Sequence, residues 1–228
     1  MRSARRRRRD LGLLSAAVIL FAASAPAARA ENTVTRDDIV NQLNHLDAAL
    51  DLDIAALRQQ VLQRSQSRSR NEPPPSRRPA IAPELAKLPS FNVDIQFDTD
   101  TPIVQPESYQ TLGRIADAMV QSTMLPYGFL IVGHIEANGK RESNALLSQR
   151  RADAIRDVLV NTFKISSKRL QSVGLGEEQL LDAAHPTAPV NQQIQIITVA
   201  KLAEQAEQPD RTTAAHAPTP SKKPARKR

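Results

Sequence analysis

Apolar and polar positions along this chain recur with two different periods. In residues 34–63, "VTRDDIVNQLNHLDAALDLDIAALRQQVLQ", a heptad frame puts Val40, Leu43, Asp47, Leu50, Ile54, Leu57 and Val61 at alternating a and d positions. Only Asp47 breaks that seam. The spacing predicts one long helix, with Thr35 as its N-cap and Asp37 and Asp38 in the first turn. Its apolar face either forms a coiled coil or lies on its own domain. The reading adopted is a coiled coil, with a homo-oligomer built through residues 34–63.

Residues 91–97, "FNVDIQF", switch to period two, the mark of a half-buried strand. Helical spacing returns at Leu112, Ile115, Ala116, Met119 and Val120, after Pro106, which suits a helix start. "YGFLIVGH" (127–134) reads as a buried strand, and 144–163 as a second helix. "RLQSVGLGEE" gives a short strand ending in glycine turns, and "NQQIQIITVA" (191–200) a final alternating strand. This order predicts an α+β fold, a βαβαββ sandwich of two main helices on a mixed four-stranded sheet. The long helix and a linker precede it.

That linker is residues 64–89, with six prolines and five arginines. Its composition predicts a stiff, solvated spacer that reaches roughly 80 Å in a polyproline-like state. Residues 203–228 lack hydrophobic periodicity and are expected to form a disordered basic tail suited to an anionic envelope surface. The ordered domain is thereby bounded at 90–202.

The formal charge of +7 has a local origin. Residues 1–30, "MRSARRRRRDLGLLSAAVILFAASAPAARA", hold seven arginines and one aspartate, leaving +1 for the remainder. A basic start, an apolar stretch from Leu11 to Ala25 and an Ala28-Arg29-Ala30 ending describe a secretory signal peptide. "RRDLGL" also fits a twin-arginine signal loosely, so both export routes stay open. The apolar stretch is short for a membrane span. With no cysteine, disulfides, thiolate metal sites and lipoprotein acylation are excluded. No nucleic-acid partner is expected, because the basic segments lack aromatic stacking residues.

One residue breaks the helical pattern. In "GHIEANGKRESNALLSQRRADAI" (133–155), Arg151 shares a row with Leu147 and Ile155, the row that should face the core. A buried guanidinium needs an acceptor. Glu136 ends the preceding strand and Asp98 ends the first one, so both approach the same edge if those strands neighbour each other in parallel. Asp98, Glu136, Asn144 and Arg151 would then outline a small cleft suited to a zwitterionic amino-acid head. The competing reading is a Glu–Arg pair that steadies the loop, with Asp98 a turn residue and Asn144 a helix cap.

The same string resembles the core motif of OmpA C-terminal-like domains, the type shared with peptidoglycan-associated lipoproteins and flagellar stator proteins. Gly133, His134, Gly139, Asn144, Leu147, Ser148, Arg151 and Ala152 match it without insertion. "IQFDTD", "LQSVGLGEE" and a final N-x-x-I-x-I extend the likeness over about residues 91–200. The resemblance implies non-covalent binding of peptidoglycan stem peptides through meso-diaminopimelate. Arg151 would take its carboxylate, Glu136 its ammonium, and Asn144 and Asp98 further hydrogen bonds.

It also implies a periplasmic, envelope-associated location in a Gram-negative bacterium, possession of no cofactor, and no enzymatic role. The departures are Glu136 for Asp, Ile135 for Thr, Ser143 for Tyr, and Gln192-Gln193 for two arginines. They leave a second reading, an OmpA-like fold with weakened or lost peptidoglycan binding that serves as a periplasmic interaction module. His134 is the one candidate general base, and its strand setting favours a structural role. His45, His185 and His216 have no metal-ligand spacing.

Overall fold

The computed structural model describes residues 34–50, 52–67 and 73–202. The expected signal peptide (1–30) and basic tail (203–228) lie outside the described residues. Four strands, β1 (Ser90–Val93), β2 (Tyr127–His134), β3 (Leu170–Gly176) and β4 (Ile194–Lys201), form a mixed sheet in the order β1-β4-β2-β3. β4 is antiparallel to both neighbours, and β2 and β3 are parallel. The α+β class and the mixed four-stranded sheet agree with the sequence reading.

The sheet is covered on both faces. On one, Phe91, Val93, Phe129, Ile131, Leu170, Ile194 and Ile196 pack with helices α1 (Arg36–Leu43), α3 (Tyr109–Met119) and α4 (Arg141–Asn161). On the other, Leu130, Val132, Val173, Leu175, Ile197 and Val199 meet Ile54, Leu57 and Val61 of α2 (Ile54–Gln66), with Ala82 and Leu85. Successive strand residues point to opposite faces, so the near-continuous apolar run of β2 serves both layers.

Residues 34–63 form two helices instead of the expected one. α1 ends at Asn44, His45 adopts φ +69°, and α2 restarts behind Asp53, whose side chain accepts from the Ala56 amide at 2.9 Å. Asp47, the break in the heptad seam, falls in this connection. Short polar side chains compete for backbone hydrogen bonds and favour caps and turns over helix interiors. The seam residues Leu43, Ile54, Leu57 and Val61 are buried within this chain, so they are not on offer to a coiled-coil partner.

The described parts of the segment expected to be a solvated spacer are anchored to the domain, with Ser65, Ala82 and Leu85 buried. α2 runs on to Gln66, and residues 73–89 contain two 3-10 turns, Pro75–Arg77 and Pro83–Lys87. Two buried carboxylates after β3 fasten it. Glu177 accepts from Arg78 at 2.7 Å, while Glu178 pairs with Arg64 at 3.1 Å and with Arg141. Those carboxylates belong to residues 4% and 2% exposed, so the arginines are what makes their burial tolerable.

β3 is an edge strand, and its outward backbone groups have side-chain partners. The Leu170 carbonyl accepts from Arg156 at 3.0 Å, and that of Ser172 from Arg58 at 2.6 Å. The Gly174 amide donates to Gln149 at 2.9 Å, and the Gly176 amide to Ser148 Oγ at 2.9 Å. These contacts cap an edge that would otherwise template further pairing.

Candidate functional site

The β1–β4 ladder stops at Val93 opposite Ile194, and Ile194 also faces Gly133 across β2. The C-terminal ends of β1 and β2 therefore flank the start of β4. The two strands are parallel but are not the neighbours that the sequence reading expected, because β4 lies between them. Past Val93 the chain keeps its alternating burial, with Ile95 inside and Asp94 and Gln96 outside, without joining the ladder. At this end of the sheet lies a cavity of about 680 Å³, lined by residues 94–97, 99, 100, 136, 151, 189, 190, 192 and 193.

Arg151 reaches that cavity because α4 sits very close to the sheet. The buried stripe of α4 is Asn144, Ala145, Ser148, Arg151, Ala152, Ile155 and Leu159, one helical face. A Cβ on Gly133 would lie 2.3 Å from the Ser148 carbonyl oxygen, and one on Gly174 would lie 2.0 Å from the Gln149 nitrogen. Only glycine fits at either position. Ser148 Oγ donates to the Ala145 carbonyl at 2.9 Å and accepts from Gly176, which fixes the helix along its axis.

The guanidinium is held in place. Arg151 is 5% exposed, its Nε donates to the Thr101 carbonyl at 3.1 Å, and its charge lies 4.7 Å from the centre of the Phe97 ring. Burial pulls its pKa below the ordinary arginine value, while nearby Asp100 and Glu136 pull it back up. A fixed cation with two carboxylates beside it can receive a carboxylate and an ammonium group together.

Of the four residues singled out in the sequence, Glu136 and Arg151 line the cavity, whereas Asp98 and Asn144 are absent from its lining. Asp98 lies in a turn, its carbonyl accepting from the Thr101 amide at 3.0 Å and its carboxylate from Gln105 at 3.4 Å. Asn144 sits inside α4 behind the site. Its amide donates to Glu177 at 3.0 Å, to Asn138 at 2.9 Å and to the Glu136 carbonyl at 3.3 Å, tying the loop to the helix. Asp94 and Asp100 are the acids the sequence reading missed. Asp100, in "QFDTD", carried a signal in its place two residues after Asp98, at the tip of a turn.

His134 is buried, with Nδ1 2.9 Å from the Gln179 carbonyl and Nε2 3.4 Å from the Gln195 side chain. Burial lowers its pKa, so the ring is neutral at pH 7, and Nδ1 must carry the proton to meet a carbonyl. Nδ1 is thus engaged with the backbone, and Nε2 lies against the Gln195 side chain. Among the described residues no group of His, Asp and Glu is arranged to hold a metal ion.

An α+β domain with a single-arginine cavity at one end of a mixed sheet is thus the class defined by fold and site. Residues 96–195 match the OmpA family, and the chain carries an OmpA-family domain there. Among curated relatives, outer membrane porin F of Pseudomonas aeruginosa is 35% identical over 97 residues, covering 42% of this chain and 27% of that protein. The peptidoglycan-associated lipoprotein of Mesorhizobium japonicum is 36% identical over 85 residues, covering 37% of this chain and 49% of that one. The chain thus spans less than half the length of either relative. Among solved structures, the peptidoglycan-associated lipoprotein from Burkholderia pseudomallei aligns at 27% identity and a TM-score of 0.35, over 50% of this chain and 91% of that one. No helix among the described residues is long and apolar enough to cross a membrane. α1, α2 and β1 all precede the matched span, yet they are part of the same folded body.

Proposed function

We propose that this is a non-enzymatic protein of the cell envelope that binds peptidoglycan stem peptides non-covalently through meso-diaminopimelate. The carrying observation is Arg151, buried on the inward row of α4, fixed by Thr101 and Phe97, and open to a cavity it shares with Glu136. The guanidinium takes the diaminopimelate carboxylate and Glu136 its ammonium. Asn144 acts from behind by holding the Glu136 loop, and Asp98 by shaping the turn that carries Thr101. The likeness to a peptidoglycan-associated lipoprotein supports peptidoglycan as the partner and a place in the cell envelope. The export signal expected in residues 1–30 is consistent with it.

The test is sedimentation of the purified protein with insoluble diaminopimelate-type peptidoglycan. The wild type is expected to pellet, and free diaminopimelate to release it. Arg151→Ala removes a buried charged donor and should cost ~2–5 kcal/mol of binding, enough to leave the variant in the supernatant. If wild type and Arg151→Ala sediment equally, the cavity is not the binding site. A wild type that stays soluble would favour the alternative, a fold kept for protein–protein contact.

A further inference from the structure

The cavity carries more negative charge than a zwitterionic ligand head requires. Three acidic side chains, Asp94, Asp100 and Glu136, line it with a single arginine, and the glutamines before β4, Gln192 and Gln193, are neutral. Asp100 adopts φ +53°, the left-handed region that glycine enters freely and other residues enter at a cost. An aspartate nevertheless occupies it, one residue before the Thr101 carbonyl that grips Arg151 at 3.1 Å. Strain of this kind persists where surrounding structure enforces it, and it gathers at ligand sites.

We propose that Asp100 is a further ligand-binding residue, which joins Glu136 in receiving the ligand's ammonium group and makes that cation the dominant determinant of affinity. The inference rests on the peptidoglycan reading above and specifies what the site selects. Arg151 lies in the field of Asp100 and Glu136, so a ligand carboxylate reaching it also meets two like charges. A ligand ammonium enters a site with surplus negative charge. Loss of the ligand's positive charge should therefore cost more affinity than loss of its negative charge.

Calorimetric titration of the full chain with three probes tests this. They are the tripeptide L-Ala-γ-D-Glu-meso-diaminopimelate, its derivative acetylated on the free amine of the diaminopimelate, and its derivative amidated on the adjacent carboxylate. In the wild type, acetylation should weaken binding at least about tenfold and amidation less than about threefold, because the amide oxygen still accepts from Arg151. In Asp100→Asn and Asp100→Gly the acetylation penalty should shrink to a few-fold. Asp100→Gly should unfold at an equal or higher temperature, because glycine relieves the backbone, so its loss of selectivity cannot come from damage to the fold.

An amidation penalty as large as the acetylation penalty overturns the inference, and so does an acetylation penalty unchanged in Asp100→Asn. In both cases the tripeptide still binds and the peptidoglycan reading stands. If the unmodified tripeptide does not bind the wild type, that reading fails and this inference falls with it.

Discussion

At the scale of single residues, His134 ties the stability of the domain to pH. Burial holds its pKa below the ordinary value of 6.5, against the pull of its two hydrogen-bond partners. The unfolded chain takes up a proton near 6.5, and the folded chain only at lower pH. Stability is therefore lost as pH falls through about 6.5 towards the depressed folded value. His134→Asn keeps a donor near the position of Nδ1 and removes the titration. Thermal unfolding from pH 7.5 to 5 should fall more steeply for the wild type than for this variant; parallel slopes would refute the assignment. Arg151 shows what a single position can reveal in sequence. A charged side chain on an apolar row implies either an outward escape or an acceptor, and Arg151 has the Thr101 carbonyl and the Phe97 ring. Of its acidic neighbours Glu136 was legible in the sequence, whereas Asp94 and Asp100 were not. Asp98 and Asp100 are two residues apart in one turn, and the backbone there, with φ +53° at Asp100, decides which of them lines the cavity.

At the scale of elements, both periods were visible in the sequence, and the order of strands and helices followed from them. The break between α1 and α2 was harder to see, because heptad counting weighs apolar residues and ignores what the polar ones prefer. Asn44 as C-cap, Asp47 in the connection and Asp53 as N-cap were all in the sequence. α4 illustrates the opposite case, where a motif reports on closeness. Gly174 has no room for a methyl group against the Gln149 backbone, at 2.0 Å. Gly174→Ala should push α4 off the sheet and cost ~3 kcal/mol. In a domain of this size that lowers the melting temperature on the order of 10 °C. Binding should fall as well, since Arg151 moves with the helix. A variant that melts like the wild type would show that the helix is free to shift.

At the scale of the whole molecule, the described parts of residues 34–89 form a structural layer of the domain. Composition hid this, since six prolines and five arginines in 64–89 are what a solvated spacer also contains. The partners that convert Arg64 and Arg78 into anchors are Glu178 and Glu177, about a hundred residues away in sequence, a distance no local pattern bridges. Glu178→Ala takes away the buried carboxylate that Arg64 and Arg141 share and should cost ~3–5 kcal/mol. Chemical denaturation reads this directly, and a loss under ~1 kcal/mol would mean that the pairs are in effect solvated.

The position of β4 has a consequence for timing. It is the last of the described strands along the chain, yet it lies between β1 and β2, and its first residue, Ile194, is the point where both meet the cavity. A chain emerging N-terminus first, from a ribosome or through a translocase, holds β1 and β2 without the strand that joins them until residues 194–201 are out. Long-range pairings of this kind form late. The cavity is accordingly closed only after the other described strands are in place, and a chain that stops short of β4 lacks it.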